Sequence, residues 1–151
     1  MCHKSLSSDK VPEFKVQLLI VPVMDNTASP ENNASWKNSE FVPALSSEKM
    51  LWFRKHYLPI PETWALPESS PLLYKDGWEK QPAALIVVGE LDVLKDEGIA
   101  YGKKLTDAGV DVDLKIMAGM PHPFLAMDGA LQQGRDAITY MVDSLKSTFQ
   151  T

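Results

Sequence analysis

Residues 83–98 read Ala83-Ala84-Leu85-Ile86-Val87-Val88-Gly89-Glu90-Leu91-Asp92-Val93-Leu94-Lys95-Asp96-Glu97-Gly98. Six apolar residues, partly β-branched, run without interruption into a glycine, the pattern of a strand covered on both faces. Beyond Gly89 the period changes. Tyr101, Leu105 and Ala108 fall on one face of a helix over 97–108, with Asp96 placed to cap its start and Gly109 its end. The following Val110-Asp111-Val112-Asp113-Leu114-Lys115-Ile116 alternates apolar and polar residues, which suits a strand over 110–116 nearer a sheet edge. Strand, helix and strand in this order demand a parallel pairing with a right-handed crossover.

Working outward, Val16-Gln17-Leu18-Leu19-Ile20-Val21-Pro22-Val23 predicts a further strand within 14–23, again nearly continuous in apolar residues. At the other end Leu131, Ile138, Met141, Val142, Leu145 and Phe149 form a stripe close to helical period, predicting a helix over 129–149 that Asp128 can cap. Between the first two strands, residues 24–82 form a long insertion, rich in Asn and Ser at first and in Pro later. It contains one helix from Ser46 to Tyr57, ended by Leu58-Pro59. The expectation is therefore one α/β domain over 1–151, with a parallel sheet of about three strands flanked by helices.

Composition narrows the functions available. At 151 residues with 44% hydrophobic content the chain can bury one core. A net charge of −5 and no Lys/Arg run argue against nucleic acid, whose binding needs a clustered basic footprint. Cys2 is the single cysteine, which excludes an intrachain disulfide and the usual multi-cysteine metal spacings. Nothing in the sequence indicates a metal or an organic cofactor. The N-terminus lacks an apolar stretch of signal-peptide character and no apolar run is long enough to span a membrane, so a cytoplasmic location is expected. The sequon Asn33-Ala34-Ser35 is read as a chance match on the same grounds.

Two side chains carry candidate chemistry. Asp92 follows the carboxyl end of the second predicted strand, and His122, in Gly119-Met120-Pro121-His122-Pro123-Phe124, follows the carboxyl end of the third. In open α/β sheets, ligands and catalytic groups gather outside those strand ends. An aspartate there can hold an imidazole by one ring nitrogen while the other serves as general base. Each also has a plain alternative, Asp92 as a turn residue and His122 as a surface histidine.

The segments Val16 to Thr27, Leu45 to Pro59, Ser69 to Leu73, Gly89 to Gly98 with Tyr101, and Gly119 to Phe124 resemble, in matching order, the second half of the hormone-sensitive-lipase-like esterases, an α/β-hydrolase family. The resemblance covers nearly the whole chain and implies the C-terminal part of an α/β-hydrolase fold. It further implies that Asp92 is the acid and His122 the base of a catalytic triad in a carboxylic-ester hydrolase. One departure is Pro123, where the family usually has glycine after the histidine; proline fixes φ and removes an amide donor.

The family's nucleophile lies in a Gly-x-Ser-x-Gly elbow and its oxyanion hole in a His-Gly-Gly-Gly type loop. The first glycine of this sequence is Gly77, and no serine stands between two glycines at that spacing. By the resemblance, Met1 to Leu6 falls near the end of the helix that follows the nucleophile. Ser46 and Ser47 read as a helix cap and Ser69 and Ser70 as turn residues next to proline, while Cys2 lacks any sign of activation. Trp52, Phe53, Met120, Phe124 and Met127 are candidates to line a substrate pocket, with core packing as the competing role; Tyr57, Trp64 and Trp78 are open in the same way.

Three functions are therefore expected in turn. The first is an ester hydrolase represented by its acid–base half, without turnover in isolation. The second is a non-catalytic module that self-associates or pairs with a related hydrolase through the apolar strand 16–23, which would otherwise be an open edge. The third is a nucleophile-free proton-transfer (cyclase-like) or small-molecule-binding role for Asp92 and His122.

Overall fold

The computed structural model describes His3 and residues 13–150; Cys2 and the rest of the N-terminal segment, including its placement after a nucleophile helix, lie outside the described residues. Three strands, β1 (Val16–Ile20), β2 (Ala83–Gly89) and β3 (Val112–Met117), form one sheet in the order β1-β2-β3, all parallel. Leu18 lies opposite Leu85, and Ile86 lies opposite Leu114. Over residues 13–150 the helices are α1 (Ala34–Asn38), α2 (Ser47–Tyr57), α3 (Lys95–Asp107) and α4 (Gln132–Phe149), with short 3₁₀ turns at Pro61–Thr63, Pro71–Leu73, Trp78–Lys80 and His122–Met127.

The uninterrupted apolar run of β2 is explained by its position. Ala84, Ile86 and Val88 pack on one face against Tyr101 and Leu105 of α3. Leu85 and Val87 pack on the other against Phe124 and against Ala137 of α4. A side chain of this size contributes about 1.5–3 kcal/mol when fully buried, so β2 is the axis of the core. A third cluster, Ala28, Trp36, Leu45, Met50, Val93 and Leu94, joins the inserted segment to the chain just beyond Asp92.

Several boundaries differ from expectation for local reasons. β1 stops at Ile20, short of Val23, because Val21 turns the chain at φ +44 and Pro22 has no N–H for a ladder. Asp96 does not cap α3. It lies inside the first turn, where its Oδ2 accepts the Ser35 amide at 2.8 Å, and the cap position falls to Leu94. Asp128 likewise leaves α4 uncapped, because residues 122–127 continue into turns and the helix begins at Gln132. Gly109 does end α3 as expected, at φ +84, its amide on the Thr106 carbonyl. Ser46 caps α2, its hydroxyl accepting the Lys49 amide at 3.3 Å.

Candidate active site

The C-terminal ends of β2 and β3 bring the two predicted residues together. His122 Nδ1 lies 2.9 Å from Asp92 Oδ2. An ionised carboxylate only accepts, so Nδ1 carries the proton and Nε2 is left as the basic nitrogen. Asp92 is 1% exposed, and its other oxygen accepts the Leu94 amide at 2.9 Å, an Asx-type turn that orients the carboxylate before it meets the ring. The imidazole is 28% exposed, whereas the Asp92 side chain is fully buried.

The loop geometry follows from the strand ends. Glu90 N donates to Met117 O and Leu91 N donates to Met120 O, both at 3.0 Å, so the acid loop and the histidine loop continue the β2–β3 pairing beyond the sheet. Their approach requires Gly89, where a Cβ would stand 2.4 Å from the Met120 carbonyl oxygen. Pro123 stands in the first turn after the histidine, where a missing amide proton costs little, but its φ −84 and ψ 16 leave the helical range and kink the stretch His122–Met127.

The serines have structural roles. Ser47 donates to the Trp36 carbonyl, and Ser70 accepts the Asn26 amide at 2.7 Å while donating to the Trp64 carbonyl. Asn33 caps α1, its side chain accepting from the Trp36 amide at 3.3 Å. The pocket candidates are dispersed. Phe53 lines a cleft of about 390 Å³ together with Val23, Met50, Arg54, Tyr57 and Pro71. Trp52 on the same helix and Met127 beyond the histidine are exposed, Met120 is half-buried against the core, and Phe124 is wholly buried in the cluster under β2. Trp64 lies against Arg54 and Trp78 sits in the core beside Tyr101.

One group was not legible beforehand. Glu97, 1% exposed on α3, accepts from Met24 N at 2.7 Å and Asp25 N at 3.2 Å with one oxygen, and from Trp36 Nε1 at 3.2 Å with the other. Burial pushes its carboxyl up to about 7 against the pull of those three donors. The Arg54 guanidinium, 3% exposed, stacks 4.6 Å from the centre of the Trp36 ring and donates to Ala28 O at 2.8 Å. Desolvation lowers its pKa, with Glu97 and Asp25 opposing. Together these residues fasten the inserted segment to the helix that follows Asp92.

A parallel three-stranded sheet with an aspartate and a hydrogen-bonded histidine at adjacent strand ends, in that chain order, has the architecture of an α/β-hydrolase. Comparison with known proteins agrees: residues 1–126 match the family described as alpha/beta hydrolase fold. An AB hydrolase superfamily protein of Schizosaccharomyces pombe is 46% identical over 137 residues, covering 89% of this chain and 40% of that protein. Hormone-sensitive lipase of Mus musculus is 30% identical over 107 residues, covering 70% of this chain and 14% of the lipase. A solved fungal esterase of Rhizomucor miehei superposes with a TM-score of 0.84 at 30% identity, covering 97% of this chain and 44% of the esterase. The chain belongs to the hormone-sensitive-lipase-like α/β-hydrolases, and spans less than half the length of these relatives. Among the described residues no helix is long and apolar enough to cross a membrane.

Proposed function

We propose that this chain is the acid–base half of a serine-type carboxylic-ester hydrolase. His122 is the general base and Asp92 its orienting acid, and the nucleophile is supplied from outside these 151 residues. The observation that carries the reading is the 2.9 Å Asp92–His122 hydrogen bond at neighbouring strand ends. When a serine hydroxyl is brought to Nε2, the imidazole removes its proton as the oxygen attacks the ester carbonyl, and returns that proton to the departing alkoxide. Asp92 stabilises the imidazolium formed between those two steps. A water deprotonated by the same nitrogen then releases the acid. The sequence has no His-Gly-Gly-Gly type loop to supply donors for the tetrahedral oxyanion, where a single donor is worth on the order of 10²- to 10³-fold.

The isolated chain is accordingly without turnover. Hydrolysis of a short-chain p-nitrophenyl ester by the purified chain, by its His122→Ala variant and by a buffer blank tests this. Equal rates in all three are expected. A wild-type rate above blank that disappears in the variant would mean that a nucleophile or an activated water operates within these residues, and would overturn the division of labour proposed here. A cytoplasmic setting accords with the single cysteine.

A second reading, a module that binds a related hydrolase, is favoured by the free edge of β1, which among the described residues pairs with β2 alone. A parallel strand added beside Val16–Ile20 would complete the sheet and cover an apolar edge.

A further inference from the structure

We infer that Glu90 is a positioning residue for His122: its carboxylate holds the histidine loop in register with the acid loop, so that the Asp92–His122 pair is assembled within this chain without help from a nucleophile-bearing half. The inference rests on the reading of these two residues as the acid–base pair. Its basis is a side-chain contact that crosses between the loops. Glu90 Oε2 accepts the Gly119 amide at 2.7 Å. Glu90 stands two residues before Asp92, and Gly119 three residues before His122.

The two partners of the pair are held very differently. Asp92 is buried and locked by its own turn through the Leu94 amide. The His122 ring is more than a quarter exposed, so packing constrains it less and its place depends on the loop backbone. That backbone leaves the sheet through a turn in which Met120 N reaches Met117 O at 3.2 Å and Gly119 adopts φ +71. A left-handed glycine is the most permissive point of the loop. It is also the point that Glu90 grips from the side, in a bond strengthened by the carboxylate charge. The neighbouring backbone bonds, from Glu90 N and Leu91 N, fix the residues on either side of the turn but leave its apex free.

A surface carboxylate with no such task would be indifferent to substitution, and a purely structural one would lower stability when removed. Glu90 and Gly119 are both exposed, so the fold depends little on their contact, which separates the two possibilities. The experiment records the downfield proton of His122 Nδ1–H in the labelled 151-residue chain, assigned by its loss in Asp92→Asn, together with thermal melting. The wild type is expected to show the resonance, Glu90→Gln to retain it because an amide oxygen can still accept from Gly119, and Glu90→Ala to lose it. Melting temperatures of both Glu90 variants should stay within about 3 °C of wild type. An unchanged resonance in Glu90→Ala, its loss in both variants, or a loss accompanied by a large fall in melting temperature would each overturn the inference. So would absence of the resonance in the wild type. The readout needs no hydrolysis, so a failed ester assay and a failed positioning role are told apart.

Discussion

The acid–histidine corner and the inserted segment 24–82 sit side by side but are held by opposite means. The corner is built almost entirely by backbone: two adjacent parallel strands end together, two loops exchange amide–carbonyl bonds, and one glycine permits their contact. The insertion contains helices and turns but no strand, and is fastened by buried polar side chains, with Glu97 holding Met24, Asp25 and Trp36 while Arg54 is stacked on Trp36. The lesson is that the Asp92–His122 geometry is mostly a product of topology, whereas the wrapping around it is a product of side-chain chemistry. The two regions should therefore fail differently when altered.

The largest effect is expected in the insertion. Glu97→Ala strands two buried donors and a half-buried one, a buried donor costing about 1–3 kcal/mol when unsatisfied, and a loss of about 3 kcal/mol is expected near pH 5 by denaturant unfolding. The pH dependence has a definite sign. The native carboxyl titrates at about 7, above its ordinary value of 4.5, so between those values the native state holds a proton that the unfolded chain has released. Stability contributed by Glu97 is thus complete below about pH 4.5 and is lost as pH rises through 7. The penalty of the variant should shrink over that window, and a penalty that grows with pH would contradict the account.

In stability the corner should respond more to its backbone than to the exposed Glu90 carboxylate. Gly89→Ala places a methyl group against the Met120 carbonyl and must push the loops apart, at a cost of about 1–3 kcal/mol, with loss of the His122 Nδ1 proton signal. If that signal survived, the two loops would be less tightly coupled than their distances imply. The smallest effect is expected from Pro123→Gly. Proline tolerates the kinked backbone at this position, φ −84, so the exchange should cost about 0.4–1 kcal/mol through the unfolded state and leave the Asp92–His122 bond intact. A stabilised variant would mean that Pro123 is strained.

How much could be read beforehand follows the same division. The strands of the core, the helix after Asp92, the serine cap at Ser46 and the glycine stop at Gly109 rest on patterns within a few residues; the caps stand where the pattern put them, while the strand and helix ends lie within a few residues of it. Asp96 and Asp128 were misplaced as caps because capping preference says where an aspartate is welcome, and tertiary partners decide where it goes. Phe124 was offered to a pocket, since an apolar residue beside a candidate general base suits pocket and core alike. The Glu97 cluster was invisible because its partners lie 61 to 73 residues away and no local pattern marks them.

By itself the sequence determined the period changes, the strand order along the chain and the chemistry available at two strand ends, because hydrophobic periodicity and turn residues act over short distances. Only the tertiary structure decided that Asp92 and His122 share a hydrogen bond, that Gly89 is the hinge of their contact, and that a buried carboxylate ties the insertion to the acid's helix. Those facts depend on which residues meet after the chain has closed loops of tens of residues, and such closure is set by packing of the whole core, which no single segment encodes.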